Sequence, residues 1–242
     1  GFAAPVALTA PATVFATVGA VTAILPDGDS LWTGTRDGEV ARVDPRTGQV
    51  ERLTPPAQGF PIRGLARDSR GRLWAATAGA GLGRFDGRTW SLFTPNNSSF
   101  PSFDVRTVLV DDTERVWAGT SAGVACLDGA GWTVYDSHNS GLVSDDVSAL
   151  AVGYQIWIGT DRGLSVLGKG EWEAAQWSVF QTGNSGLPDD RVTALALDPT
   201  GRLWVGSELG VAWTRDGSEW WTDSALAGPV SAILPGADGS RW

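Results

Sequence analysis

The 242-residue chain has one cysteine, one histidine and no methionine, and its 18 basic residues are outnumbered by 27 acidic ones. With Cys126 alone, no internal disulfide can form. Its setting, Gly123-Val124-Ala125-Cys126-Leu127, reads as a small buried apolar side chain. His138 stands in Asp136-Ser137-His138-Asn139-Ser140-Gly141, with no second histidine for a metal or lyase site. General acid–base work favours a partnered histidine in a pocket, so His138 is expected as an exposed or turn-bonded loop residue. The net charge of −9 and the lack of a basic stripe argue against a nucleic-acid partner. Runs of helix formers are scarce, and no Gly/Ser-rich or charged linker divides the chain. Residues 1–26 carry no charge, but no basic leader precedes them and Pro5 and Pro11 interrupt the run. That argues against a membrane span or signal-peptide core. Two strands of a buried sheet, Val6–Thr9 and Thr13–Val18, are expected there instead. A chain that opens at glycine without methionine reads as a mature or excised piece.

What the chain does have is glycine (32), tryptophan (13) and a recurring phrase. The clearest copy runs from Gly186-Leu187-Pro188 through Val192-Thr193-Ala194-Leu195 and Asp198-Pro199-Thr200-Gly201 to Trp204-Val205-Gly206-Ser207. Looser copies surround Trp32, Trp74, Trp117 and Trp157, and the chain stops at Trp242. The spacings between these tryptophans are 42, 43, 40, 47 and 38. A period near forty with several short strands per unit is the signature of a propeller or array.

Each unit opens with a short strand of the form V-x-small-I/L, as in Val21-Thr22-Ala23-Ile24, Ile62-Arg63-Gly64-Leu65 and Val105-Arg106-Thr107-Val108. Val147-Ser148-Ala149-Leu150, Val192-Thr193-Ala194-Leu195 and Val230-Ser231-Ala232-Ile233 repeat it. The small third residue implies a crowded place near an axis. A turn follows in which Asp bonds its own backbone and Gly takes positive φ, as in Asp68-Ser69-Arg70-Gly71. The fourth unit shortens this turn to Gly153-Tyr154, two residues fewer. The tryptophan strand comes next, then a connection ending in Gly, a third strand, and a fourth strand with aromatics. Four antiparallel strands make a propeller blade, and a blade buries both faces only against its neighbours. Trp32, Trp74, Trp117, Trp157, Trp204 and Trp242 are therefore expected to pack between blades. The segment 169–176 lengthens the outer hairpin of the fourth unit and carries Trp172.

The fold expected is all-β: a six-bladed β-propeller of four-stranded antiparallel blades forming one domain over 1–242. The blades span about 21–57, 62–97, 105–139, 147–184 and 192–224, and residues 229–242 join 1–20 in a closing blade shared between the two chain ends. From Trp242 round to Trp32 is 32 residues, shorter than the other intervals, so this seam is expected to be the weakest. An open array cut mid-repeat is the other arrangement that the repeats allow.

The phrase G-L-P-x-x-x-V-x-x-L-x-x-D-x-x-G-x-L-W-x-G-[ST]-x-x-G resembles the two-component regulator propeller repeat of sensor-type bacterial proteins. The fifth unit carries Gly186, Leu187, Pro188, Val192, Asp198, Gly201, Trp204, Gly206 and Gly210 of that phrase. The fourth carries Gly141, Leu142, Trp157, Gly159, Thr160 and Gly163. The chain departs from it where Val143 follows Leu142, where Ala76 replaces the usual Gly, and in a first unit without the G-L-P lead-in. Val43-Asp44-Pro45-Arg46-Thr47-Gly48 is similar to phrasing of streptogramin-lyase-like propellers. The resemblance implies an extracytoplasmic sensing module, in a family whose propellers usually have seven blades and precede a kinase.

A superfold does not specify its job, so the site must be argued from residues. Loops entering the inner strands and loops leaving the tryptophan strands share one face around the axial channel. That face would present Arg36, Arg63, Asp104, Arg106, Asp146, Asp161, Arg162, Asp190, Arg191 and Glu208. Charges of both signs suit a small polar ligand, a peptide or a protein loop. The doublets Asp111-Asp112, Asp145-Asp146 and Asp189-Asp190 lack a calcium-loop spacing and read as turn caps. No catalytic residue, metal site or cofactor fingerprint is found, and direct membrane insertion of this segment is not expected. The expected function is a non-enzymatic binding or sensing propeller. A propeller lectin using Trp172, Trp220 and Trp221, and an enzyme of the streptogramin-lyase type, are the alternatives from other classes.

Overall fold

The computed structural model describes residues 19–55, 58–129, 131–168 and 176–234. The strands read at Val6–Thr9 and Thr13–Val18, together with Trp172 and Trp242, lie outside the described residues.

Twenty strands form five antiparallel sheets of four, each in simple up-and-down order. The first sheet holds β1 (Val21–Asp27), β2 (Ser30–Thr35), β3 (Val40–Val43) and β4 (Val50–Leu53). The second holds β5 (Ile62–Arg67), β6 (Leu73–Thr77), β7 (Gly81–Phe85) and β8 (Trp90–Phe93). The third holds β9 (Val105–Val110), β10 (Val116–Thr120), β11 (Gly123–Leu127) and β12 (Trp132–Tyr135). The fourth holds β13 (Val147–Val152), β14 (Gln155–Thr160), β15 (Gly163–Gly168) and β16 (Trp177–Phe180). The fifth holds β17 (Val192–Leu197), β18 (Leu203–Ser207), β19 (Gly210–Thr214) and β20 (Trp220–Ala227). Strand β20 passes the expected blade end at 224 because a bulge between Gly210 and Ala212 lets Ala227 pair with Gly210.

The first strands of successive sheets are neighbours in the order β1, β5, β9, β13, β17, so they form the inner edge of the stack. Residues 229–234 carry no strand among the described residues. Val230 nevertheless donates its N–H to Ser207 O at 3.0 Å and accepts the Thr193 hydroxyl on its carbonyl.

The tryptophan strands do the packing between sheets. Trp74 shares a buried cluster with Phe100, Val105 and Val108 of the third unit, and Trp117 shares one with Leu142, Val147 and Leu150 of the fourth. Trp157 packs with Leu187 and Val192 of the fifth, and Trp32 with Ile62 and Leu65 of the second. Rings of this size supply about 150–250 Å² of buried area each, which holds sheets that could not stand alone.

The glycine of the W-x-G-[ST] phrase is the contact that lets the sheets approach. A Cβ on Gly119 would lie 2.6 Å from Val147 Cγ1 and 2.7 Å from Thr107 Cγ2. Gly159 stands in the same relation to Val192, and Gly206 to Val230. Gly119→Ala should therefore overpack the seam between the third and fourth sheets and cost about 1–3 kcal/mol. Urea unfolding would read this as a lower midpoint at unchanged slope, and Val147→Ala in the same chain should recover part of it.

The hydroxyl after that glycine staples the next turn. Thr120 and Thr160 donate to the carbonyls of Gly123 and Gly163 at 2.8 Å, and accept the N–H groups of Ala122 and Arg162. Gly123 and Gly163 take positive φ, which closes the hairpin without a side-chain clash.

At the opposite end of the inner strands, the turn aspartate does more than cap its own backbone. Asp68, Asp111 and Asp198 each accept the indole N–H of the tryptophan six residues later, at 3.1, 2.9 and 3.1 Å. Asp27 does the same for Trp32 at 3.0 Å. The hairpin sets the two side chains next to each other, so the D…W spacing of the repeat is a clasp between turn and core. The fourth unit, with its short Gly153-Tyr154 turn, has no aspartate to make it.

Candidate functional site

All five inner strands are irregular at one place. The register against the second strand shifts between Val21 and Ala23, Ile62 and Gly64, Val147 and Ala149, and Val192 and Ala194. In the third sheet Val105 pairs with Thr120 while Thr107 pairs with Gly119. Thr22, Arg63, Arg106, Ser148 and Thr193 are thus the extra residue of a bulge. A bulge leaves its extra residue out of the ladder and re-aims its side chain. Five of them at one level build a collar around the inner edge.

The collar bridges neighbouring sheets in two ways. Where the bulged residue is a hydroxyl, it donates to the backbone of the next inner strand. Thr22 Oγ1 reaches Ile62 O and Ser148 Oγ reaches Val192 O, both at 2.5 Å, and Thr193 Oγ1 bonds Val230 O. Where it is arginine, it reaches instead to an aspartate at the head of the next inner strand. Arg63 Nη1 lies 2.9 Å from Asp104 Oδ1. Arg106 grips Asp146 with both terminal nitrogens, Nη2 to Oδ2 at 3.2 Å, and its Nε lies 3.4 Å from Asp104 Oδ2. Arg63, Asp104, Arg106 and Asp146 therefore form one chain of alternating charge across three sheets.

Residues just after the tryptophan strands complete the rim. Arg36 and Asp161 donate their N–H groups to Ala20 O and Asp146 O, at 2.8 and 3.2 Å. The Asp161 carboxylate accepts the Ser144 hydroxyl at 2.6 Å, and Arg191 Nε lies 3.5 Å from Glu208. Between Arg106 and Arg191 is a cleft of about 170 Å³, also lined by Asp146, Ser148, Asp161 and Thr193. These ion pairs are partly exposed, and pairs of that kind contribute about 0.2–1 kcal/mol each. They can be exchanged for pairs with a charged or polar guest at little cost to the fold.

Eight of the ten residues expected at the channel face fall at the collar or its rim. Asp190 does not join them. Its carboxylate accepts Thr182 N at 2.7 Å, as Asp145 accepts Ser137 N at 2.7 Å one unit earlier. Asp190 thus corresponds to Asp145, one place before the head of the inner strand. Arg162 is exposed one residue beyond Asp161, and its carbonyl accepts the Gln181 side chain at 2.8 Å. Thr22, Ser148 and Thr193 were absent from the expected set, although they share a column of the V-x-small repeat with Arg63 and Arg106.

His138 is 89% exposed at its side chain, with Nδ1 3.8 Å from Asp136. Cys126 is buried, and that burial pushes its thiol pKa up to about 12, so it is inert. Trp220 donates its indole N–H to Gly217 O at 2.9 Å, while Trp221 is 40% exposed and stacks on Trp213 at 4.1 Å.

Residues 186–208, the head loop, inner strand and tryptophan strand of the fifth sheet, match the family model described as two component regulator propeller. The chain carries a two component regulator propeller repeat. No curated protein sequence matches it. The fold is similar to the extracellular domain of the putative hybrid two component system BT3049 from B. thetaiotaomicron, at TM-score 0.77 and 19% identity. That likeness covers 91% of this chain and 32% of that one. PorZ, described as an essential bacterial surface component of the type-IX secretion system of Porphyromonas gingivalis, gives TM-score 0.65 at 13% identity, covering 87% of this chain and 37% of that one. Virginiamycin B lyase from Staphylococcus aureus gives 0.71 at 13% identity, covering 92% and 76%. At these identities the likeness shows a propeller fold, and this chain spans about a third of the length of the BT3049 domain and of PorZ.

Proposed function

We propose that the chain is a non-enzymatic propeller module that binds a small polar ligand, a peptide or a protein loop at the collar, as part of an extracytoplasmic sensor. The observation that carries this reading is the row of five bulges at one level, with Arg63, Arg106 and Arg191 set among Asp104, Asp146 and Asp161. Bulges collect where a side chain must be aimed, and at Arg63 and Arg106 the side chains so aimed are charged and partly exposed. Loops on a rigid scaffold are also where recognition concentrates. The extracellular setting named for the BT3049 domain supports the location. The same reading closes the ring with a sixth blade from 229–242 and 1–20, because Val230 bonds to Ser207 and Thr193 where other units begin their inner strand.

The test is Arg63→Glu combined with Arg106→Glu, screened by calorimetry beside the parent chain against amino acids, dicarboxylates and short peptides. A ligand of the parent should bind the double variant at least about tenfold more weakly, since charge-assisted contacts are worth about 1.5–3 kcal/mol. The melting temperature should stay within about 5 °C of the parent, because the lost pairs are partly exposed. A ligand whose affinity ignores both substitutions would refute the collar as the site. Trp221, exposed on its stack with Trp213, is the one observation favouring the lectin reading. Trp fluorescence quenched by a glycan, and lost in Trp221→Ala, would support that alternative.

A further inference from the structure

We infer that the face of the fifth sheet carrying Trp204, Trp213 and Trp221 is the seat of the chain's own uncharged N-terminal segment, residues 1–18. The inference rests on the ring closure proposed above and goes beyond it, because it assigns that segment to one face and gives the exposed tryptophan stack its occupant. Cross-strand pairing puts the three tryptophans in one row, with Trp204 opposite Trp213 and Trp213 opposite Trp221. The matching row in the third sheet is Trp117, Cys126 and Thr133, and in the fourth it is Trp157, Val166 and Ser178. Trp117 and Trp157 each pack on the unit that follows, so the row marks the side of a sheet turned to its successor. Beyond the fifth sheet only residues 229–234 are described, and there the row is bare at Trp221, 40% exposed. Trp204, at the inner end of the row, also lines a groove of about 270 Å³ with Val211, Leu226, Pro229 and Ile233.

The other end of the stack is bare in the complementary place. Val21 and Ile24 of β1 are 44% and 62% exposed, whereas their counterparts in β5, Ile62 and Leu65, are buried against Trp32. Residues 1–18 run directly into β1. Eighteen residues span up to about 60 Å when extended, about twice the width of a small domain, so the segment has the length to cover both bare faces. Its tether gives it an effective concentration in the millimolar range, which a second copy of the chain in free solution does not match.

Bulk selects this occupant. At the described seams the incoming sheet brings the large ring: Trp132 lies against Phe93, Trp177 against Tyr135 and Trp220 against Phe180. Residues 1–18 hold six alanines and no tryptophan, so the segment brings no such ring. The fifth sheet supplies the bulk from its own side. Trp213 and Trp221, stacked 4.1 Å apart, stand where the third sheet has Cys126 and Thr133 and the fourth has Val166 and Ser178. Large side chains on one surface interdigitate with small ones on the surface facing it. The segment also carries no charge, which suits a face of indole rings and aliphatic side chains. A stack filled in this way is an internal seam and not a sugar platform.

The experiment places a nitroxide in the segment, on the full chain, through Ala10→Cys. Cys126 is buried and its thiol pKa is pushed up to about 12, so the label goes to position 10. The indole N–H signals of Trp117, Trp213 and Trp221 are assigned by their loss in the three single Trp→Phe variants, and the Ile24 methyl signals by Ile24→Val. The Trp213, Trp221 and Ile24 signals should lose intensity in the labelled chain and recover it when ascorbate reduces the nitroxide. The Trp117 signal, two sheets away from the fifth, should keep its intensity. Loss at Ile24 without loss at Trp221 would overturn the seat and leave the ring closure standing. No loss at either would overturn both, and equal loss at Trp117 and Trp221 would show a segment without a seat. In the unlabelled chain, cellobiose should leave the Trp221 signal where it is; a saturable shift would give the stack to a sugar and overturn the proposal.

Discussion

Asp111→Ala is expected to remove about 3–5 kcal/mol of folding stability, a large share of what a domain has. The carboxylate is fully buried and takes five donors: Thr113 N and Oγ1, Arg115 N and Nε, and Trp117 Nε1, at 2.7–3.0 Å. Burial by itself would raise its pKa. The indole, hydroxyl, backbone and guanidinium donors outweigh burial and hold it at about 2. The folded-state value lies below the unfolded one, so the stabilisation is complete above the ordinary carboxylate pKa and is lost as pH falls from about 4 toward 2. A shift of this size corresponds to roughly 2 kcal/mol of that stability. Asp68 and Asp198 are lowered in the same direction against the same burial. Urea midpoints measured from pH 5 to pH 2 should therefore fall steeply in the parent. In Asp111→Ala the curve should start lower and fall less. An unchanged midpoint at pH 7, or an equally steep fall in the variant, would sink this account of the clasp.

This clasp marks the border of what the residues said in advance. The strand order, the five described blades and the packing of Trp32, Trp74, Trp117 and Trp157 between sheets were legible, because period forty, V-x-small and the turn glycines are local patterns. The turn aspartates were also visible, but as caps of their own backbone. Their bond to a side chain six residues on exists only once the hairpin has set Asp111 beside Trp117. The collar was half legible for a similar reason. Charges announce themselves, so Arg63, Asp104, Arg106 and Asp146 stood out. A bulge does not announce itself: a period-two reading gives Thr22, Ser148 and Thr193 no special place. Asp190 was placed on the same face as Asp146, but it stands one residue further from its inner strand, and that offset turns its carboxylate back toward Thr182. The short Gly153-Tyr154 turn was noticed, yet its meaning depended on knowing what the longer turns hold.

Trp117→Ala should be as damaging as the loss of its aspartate, and the way in which it fails tests the same idea from the other side. Trp117 is fully buried between the third and fourth sheets, packed with Leu142, Val147 and Ile158 and stacked on Tyr135 at 6.2 Å. Truncation of a buried aromatic of this size costs about 3–5 kcal/mol. Trp→Phe substitution divides that cost, since the ring stays and only the indole N–H is lost. At Trp74, Trp117 and Trp204 the loss leaves a buried carboxylate short of a donor, and each should cost about 1–3 kcal/mol beyond the change in volume. At Trp157 there is no such bond to lose, so Trp157→Phe should be milder by about that amount. Four single variants, unfolded in urea at pH 7, make the comparison. If Trp157→Phe is as destabilising as the other three, the indole bonds contribute nothing, and the vacant position in the fourth unit loses its physical basis.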